Sequence, residues 1–218
     1  MNINKSENIF VLGVILAITG LLAALLMAYF AKITAGPIAE AVYASANRSL
    51  VAVMPPFKSK RSIDFNNIKF TGVFNEENKL TGIAGEFSVK GYGGDIKTLV
   101  GMNVDGSIRT VLILENNETP GLGSNVCVRK EQKTLKTLFA GEKKSDGLAP
   151  NRILDYYSGK SITSSAEWKV AKDGGDCPYI TGATVSSRAV CKAVYHIVSV
   201  YSANRDAVKA ELFKKEVR

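Results

Sequence analysis

The chain has 218 residues, of which 46% are hydrophobic and 22% are charged, a size and composition that fit one folded domain with a membrane anchor. Its 28 basic and 20 acidic residues give a net charge of +8, but the basic residues are scattered and no nucleic-acid-binding motif accompanies them, so we predict no nucleic-acid partner. The three cysteines include no Cys-x-x-Cys pair, which excludes the usual zinc and iron–sulfur spacings, and the single histidine leaves few groups for hydrolytic chemistry.

The N-terminal part of the sequence predicts a membrane helix. Residues 9–31 carry no charge, and a helix needs about 20 apolar residues to cross a bilayer, whereas the apolar part of a signal peptide has roughly 7–15. We therefore predict an N-terminal tail at residues 1–8 and an uncleaved transmembrane helix at residues 9–33. The charges on the two sides, Lys5 and Lys32, do not decide the orientation.

The next segment, residues 34–68, is predicted to be a membrane-proximal helix and a linker. Residues 38–53 are rich in alanine and amphipathic, and Met54-Pro-Pro56 should end the helix because a residue before proline disfavours the helical conformation. Residues 57–67 are predicted to be a basic linker.

A series of strands follows, at residues 69–74, 79–90, 96–104 and 107–115. Asp105-Gly106 is a hairpin signal between the last two. Residues 110–114 are apolar throughout, which predicts a strand buried on both faces. Gly91-Tyr-Gly-Gly94 is not a dinucleotide fingerprint, since no Gly-x-Gly-x-x-Gly opens a helix there; it is either a flexible turn or a place where the backbone approaches a ring closely.

Beyond the strands, Glu118-Thr-Pro-Gly-Leu-Gly123 predicts a turn. Its proline and glycines would leave backbone N–H groups free to donate to a ligand, with the glycines serving positive φ or close approach. Without other information the stretch is an ordinary loop. We further predict a short amphipathic helix at residues 126–139, a charged loop at 141–147, and brief ordered elements at 153–157 and 162–168.

A long amphipathic helix is predicted after Ser187, because apolar residues recur three or four apart. Ser186 or Ser187 is placed to cap it, and the start of a helix attracts anions, phosphate above all. Thr184 stands just before that start, and the small Gly182 and Ala183 would let a bulky group approach the backbone. The alternative is a loop, a serine cap and a helix with no ligand.

These motifs resemble those of a known family. Thr181-Gly-Ala-Thr-Val-Ser-Ser-Arg-Ala-Val190 is similar to the flavin-attachment motif of the FMN-binding subunits of Rnf and Na⁺-translocating NADH:quinone reductase complexes. In that family a flavin transferase joins FMN, through a phosphoester bond, to the threonine of Gly-Ala-Thr, which here is Thr184. The Glu118–Gly123 stretch resembles the family's second signature, and the order of both motifs behind one membrane span is that of the RnfG family.

The sequence departs from the family pattern at two positions beside the attachment motif. Thr181 stands where the family usually has serine, so a hydroxyl is kept. Pro178 stands where the family usually has aspartate, and the nearest aspartate is Asp176. If the transferase reads that aspartate directly, attachment would be less efficient here.

Together the pattern and the resemblance predict an α+β fold, a mainly antiparallel twisted sheet with packed helices, on a single N-terminal transmembrane helix. The resemblance implies an FMN-binding domain at residues 69–203, followed by a charged C-terminal helix or tail at residues 204–218. It implies no catalytic residue and no metal. The cofactor-binding residues that it implies are Thr184 as the covalent acceptor, with Tyr92, Glu118, Thr119, Pro120, Gly121, Leu122, Gly123, Thr181, Gly182, Ala183, Val185, Ser186 and Ser187.

The implied function is electron transfer by covalent FMN within an Rnf-type complex that couples ferredoxin and NAD⁺ to ion transport. The implied partners are the other subunits of that complex, the flavin transferase and the cell membrane, with the flavin domain outside the cytoplasm. Two alternatives remain open. One is an extracytoplasmic, membrane-anchored ligand-binding module without a redox role, and the other is the equivalent subunit of Na⁺-translocating NADH:quinone reductase.

Overall fold

The computed structural model describes residues 5–129, 148–162 and 167–214. Within these residues the predicted α+β class is confirmed, since a single antiparallel sheet is packed by helices. The strands are β1 (Ser59–Phe65), β2 (Ile68–Phe74), β3 (Leu80–Lys90), β4 (Asp95–Met102) and β5 (Ile108–Glu115). The helices are α1 (Lys5–Val53), α2 (Ser124–Cys127), α3 (Arg152–Asp155), α4 (Thr184–Ala203) and α5 (Arg205–Lys214), and a 3-10 turn covers Ala171–Asp173.

Helix α1 confirms the predicted apolar N-terminal helix. Its part from Phe10 to Val53 contains an 18-residue window with a mean hydropathy of 2.7 and is long and apolar enough to cross a membrane. The prediction of a separate helix over residues 38–53 is wrong, because α1 continues through Pro37 as one helix of 49 residues. A proline removes one helical hydrogen bond, and here the alanine-rich sequence beyond it keeps the helical conformation. Contacts divide the chain into two compact units between Asn47 and Arg48.

The sheet is a meander in which each strand pairs antiparallel with the next, in the order β1-β2-β3-β4-β5. Strands β2 to β5 confirm the four predicted strands. The predicted hairpin between β4 and β5 is also confirmed: Gly106 has a φ of +91°, and the Ser107 N–H donates to Asp105 Oδ1 at 2.9 Å. That left-handed conformation is the one for which glycine is preferred in tight hairpins.

Strand β1 corrects the prediction of a linker at residues 57–67. It pairs with β2 along its whole length, from Ser59 opposite Phe74 to Phe65 opposite Ile68. Its basic residues concealed the strand because an edge strand exposes one side and commonly carries charge there. The Arg61 guanidinium packs over the Phe74 ring, 4.6 Å from the ring centroid. A charged side chain of this strand therefore also contacts an aromatic ring of β2.

Strand β5, at the other edge of the sheet, corrects the prediction of a strand that is buried on both faces. In β5 only Ile108 and Val111 are fully buried, while Leu112, Ile113 and Leu114 are partly exposed. An edge strand has a neighbour on one side only, so its apolar residues are covered less completely than the sequence run suggested.

Helices cover both faces of the sheet. Helix α4 packs against β3 and β4, so closely that a Cβ at Gly85 would overlap the side chain of Ile197. On the opposite face, the last turn of α1 and Met54 pack against Val73, Ala84 and Leu99. The Met54 N–H donates to Leu50 O at 3.0 Å before the predicted proline stop. The sheet and the helices packed on it thus hold the loops before α2 and α4 in position.

The predicted helix at residues 126–139 differs from the structure where it is described. Helix α2 ends at Cys127, and Val128 and Arg129 are not helical. The rest of that prediction, the charged loop at residues 141–147, and residues 163–166 of the predicted element at 162–168 lie outside the described residues.

Candidate functional site

A cavity of about 360 Å³ opens where three loops meet the N-terminal end of α4. One loop follows β3, one follows β5, and one runs through the 3-10 turn into the helix. The residues on its wall are Tyr92, Glu118, Thr119, Leu122, Gly123, Lys172, Gly182, Ala183, Thr184, Val185 and Ser186. Two stretches that are distant in the sequence, the Glu118–Gly123 turn and the Gly-Ala-Thr motif, therefore face one space.

The N-terminal end of α4 differs from the predicted serine cap. The helix begins at Thr184, after Ala183, and no side chain in the described part of the chain caps it. Ser187 Oγ instead donates to Ala183 O at 2.9 Å and accepts from the Ile180 N–H at 3.2 Å. Since both serines lie inside the helix, the helix begins three or four residues earlier than predicted. Its unpaired N–H groups and positive dipole end are thereby presented at the cavity.

Glu118 connects the three sides of the cavity. Its side chain is only 6% exposed. Oε1 accepts from the backbone N–H groups of Tyr92 at 2.8 Å and Gly93 at 3.3 Å, and Oε2 accepts from Ser186 Oγ at 2.6 Å. All three partners act as donors, which is the pattern that an ionised carboxylate accepts. One side chain thus joins the turn after β3 to the first turn of α4.

The glycines around Glu118 are explained by the same carboxylate. A Cβ at Gly91 would overlap Glu118 Oε1, and a Cβ at Gly123 would overlap Glu118 Oε2 and lie 2.7 Å from Ser186 Oγ. Gly123 has an ordinary φ of −60°, so it is needed for close approach. Gly121 is needed for a different reason: its φ is +81° and nothing lies within 4 Å of its Cβ position.

The rest of the wall combines apolar surface with one cation. Tyr92, Leu122 and Val185 are 74%, 48% and 45% exposed and lie together on this wall, and such a group of exposed apolar residues is typical of a surface that binds a ligand or a partner. Lys172, in the 3-10 turn, supplies a positive charge. Sequence reasoning missed Lys172, because it lies in a charged loop that resembles other surface loops.

Four of the predicted residues are not on the cavity wall: Pro120, Gly121, Thr181 and Ser187. Gly121 shapes the turn by its positive φ, and its N–H donates to Ser124 Oγ at 2.9 Å. Ser187 is fully buried behind Ala183. Pro120 and Thr181 are exposed beside the cavity.

The cavity fits FMN in size and in chemistry. Sites for small molecules and cofactors usually measure about 300–1,000 Å³ and combine apolar walls with a few polar groups. Here apolar side chains offer surface to a planar ring, while the uncapped helix end and Lys172 offer positive charge to a phosphate. The partly buried Thr184 adds a hydroxyl to the same wall.

Comparison with known proteins agrees with this assignment. The FMN-binding domain family matches residues 91–199, which is half of the chain, and the chain belongs to that family. Its relatives include the G subunit of the ion-translocating oxidoreductase complex of Vibrio atlanticus, 37% identical over 56% of this chain and 49% of the relative. The G subunit of the same complex in Cereibacter sphaeroides is 27% identical over 92% of this chain and 87% of the relative.

These matches cover different shares of the proteins compared. The chain spans about half the length of the Vibrio protein. Among solved structures, the crystal structure of NqrC from Shewanella oneidensis matches with a TM-score of 0.44 and 19% identity, over 69% of this chain and 70% of that one.

Proposed function

We propose that this chain is the membrane-anchored, FMN-carrying electron-transfer subunit of an Rnf-type ion-translocating oxidoreductase, with the flavin phosphate esterified to Thr184. The observation that carries the proposal is the position of Thr184. It is the first residue of a 20-residue helix without a side-chain cap, and it lines a cavity that the second family motif also lines. The relatives that are G subunits of ion-translocating oxidoreductase complexes support the assignment of the complex.

The residues of the cavity have separate tasks in this proposal. The isoalloxazine ring of FMN supplies the redox chemistry when bound, and the protein supplies position and electrostatics. Thr184 tethers the phosphate, and the N–H groups of the first turn of α4 stabilise its negative charge. Lys172 adds a cation to the wall, and Tyr92, Leu122 and Val185 offer apolar contact to the ring. A tether keeps the flavin from dissociating, which suits a relay between fixed neighbours.

The decisive experiment isolates the chain from native membranes through an affinity tag. A denaturing gel should show flavin fluorescence on this chain, and a tryptic digest should place the flavin mass on residues 173–188, the peptide that contains Thr184. The other subunits of the complex should co-purify. A flavin-free protein, recovered from cells that contain the transferase, would contradict the redox proposal and support the ligand-binding module instead.

We also propose that the flavin domain lies outside the cytoplasm, as the family resemblance implies. Protease added to intact spheroplasts should then remove the region after Lys32, because that region follows the apolar part of α1. A cytoplasmic enzyme assayed in the same samples controls for lysis. Protection in spheroplasts together with digestion in inverted vesicles would reverse the orientation.

A further inference from the structure

A second cluster of reactive side chains lies apart from the cavity wall, where the loop before α4 meets the core. It consists of the Tyr157 phenol and the thiols of Cys177 and Cys191, which are 0%, 4% and 2% exposed. The Tyr157 hydroxyl contacts both thiols, which are weak partners and leave it without an ordinary hydrogen bond. The proposed electron-transfer function uses none of the three.

The backbone holds the two cysteines together. The Cys177 N–H donates to Lys169 O at 3.0 Å, and Cys177 O accepts from the Ala171 N–H at 2.8 Å, so Cys177 is fixed to the segment 169–171. The Cys191 thiol, from α4, donates to Trp168 O at 3.4 Å. The same short segment therefore positions one cysteine through its backbone and the other through its thiol.

The two thiols also interact with each other. Contact with Cys191 lowers the pKa of Cys177 to about 7 although burial opposes this, and the same contact raises the pKa of Cys191. By contrast, burial and the Glu118 carboxylate raise the pKa of Cys127 to about 12. Since the thiolate is the reactive form of cysteine, Cys177 is the member of the pair that is favoured to react, whereas the raised pKa of Cys127 disfavours its thiolate.

One member of the pair, Cys191, lines a second cavity. This cavity, of about 260 Å³, is lined by Cys191 together with Trp168, Lys169, Arg188 and Lys192. Its three basic residues outnumber its two acidic ones, Glu167 and Asp173, although Asp173 pairs with Arg188 at 2.5 Å. The remaining positive charge favours anionic reagents, such as the carboxylates of glutathione. A small disulfide can therefore approach Cys191 from this cavity.

We propose that Cys177 and Cys191 are a disulfide-forming pair that closes the flavin-attachment loop onto α4. The bond would enclose residues 178–190 and hence Gly182, Ala183 and Thr184. In the reaction, two S–H bonds and the S–S bond of an external disulfide break, the Cys177–Cys191 bond forms, and the external disulfide takes up two electrons and two protons as two thiols. Disulfides persist outside the cytoplasm, so the extracytoplasmic position proposed above would favour the oxidised form.

The test uses the full-length protein, purified in detergent and first reduced. It is incubated with excess oxidised glutathione, quenched with an alkylating reagent, and digested with trypsin without reduction. The expected product is residues 173–188 linked to residues 189–192, while residues 110–129, which contain Cys127, are alkylated. The first peptide also contains Thr184, so its flavin content and its disulfide are measured separately. The absence of flavin would leave the disulfide result valid.

Variants give the matched controls. Cys127→Ala should form the linked peptides as the wild type does, whereas Cys177→Ala and Cys191→Ala should form none. The wild-type result alone decides the proposal if either of these variants fails to fold. Unmodified thiols at both positions, glutathione adducts without the linked peptides, or a link that involves Cys127 would each overturn the pairing.

Discussion

Replacing Thr184 with alanine is expected to abolish covalent flavin while leaving a folded, membrane-inserted protein. Alanine offers no oxygen for a phosphoester bond, so no flavin should survive denaturation on this variant. The change should be mild for the fold, because Thr184 is only partly buried and lies at the first residue of α4. Alanine also has a higher helix propensity than threonine at this first helical residue.

The matched control for this prediction is Thr181→Ser, which keeps the hydroxyl of the motif. Thr181 carries the same hydroxyl three residues earlier, but it is exposed and does not line the cavity. This variant should keep its flavin mass on residues 173–188. In-gel fluorescence and peptide mass spectrometry measure both variants. Flavin still bonded to Thr184→Ala, or found on another residue of the wild type, would contradict the assignment of the acceptor.

Four of the five strands and the apolar anchor could be predicted from the sequence, because alternation, turn residues and an uncharged run are local signals. Strand β1 was missed, since whether Arg61 lies in a strand depends on its pairing with β2 and on the Phe74 ring. Helix α1 was predicted as two helices, because the uncharged run ends at residue 31 and an amphipathic pattern follows, whereas the helix continues through Pro37. Both errors arise where distant or extended context outweighs local propensity.

At the candidate site, the sequence indicated two motifs but not the way in which they meet. The resemblance indicated Glu118 and Ser186 as site residues, yet only the structure shows that they bond to each other across 68 positions. The short Ser186–Glu118 bond also explains why the serine does not cap α4. Lys172 could not be selected from the sequence, because only the loop path places it on the same cavity wall as Thr184.

Glu118 is expected to control both the shape of the cavity and the redox potential of the flavin. Glu118→Ala removes the acceptor of three hydrogen bonds and leaves the Tyr92 and Gly93 N–H groups and the Ser186 hydroxyl without their partner. We expect the free energy of unfolding to fall by roughly 2–4 kcal/mol. Glu115→Ala, at an exposed carboxylate three residues earlier, is the control and should change it by less than about 0.5 kcal/mol.

Glu118→Gln separates the charge from the geometry. The amide oxygen can still accept from the Tyr92 and Gly93 N–H groups, and the amide nitrogen can donate to Ser186 Oγ, so the loops should stay in place. Removing a negative charge beside the flavin favours the addition of electrons, and the midpoint potential should therefore rise. A reductive titration of the flavin-loaded protein measures the potential. An unchanged potential in Glu118→Gln would show that this carboxylate does not act on the ring.

Variants of Gly123 and Gly121 test the contact between the Glu118 carboxylate and the glycine at position 123. Gly123→Ala places a methyl group where Glu118 Oε2 lies, so it should displace the carboxylate and reproduce the loss of stability expected for Glu118→Ala. Gly121→Ala meets open space and costs only about 1 kcal/mol, through its positive φ. Because Gly121 lies outside the cavity wall, that variant should keep the wild-type potential. Equal effects of the two glycine variants would mean that the turn is sensitive to any side chain, and that the Glu118 contact is not what selects glycine at position 123.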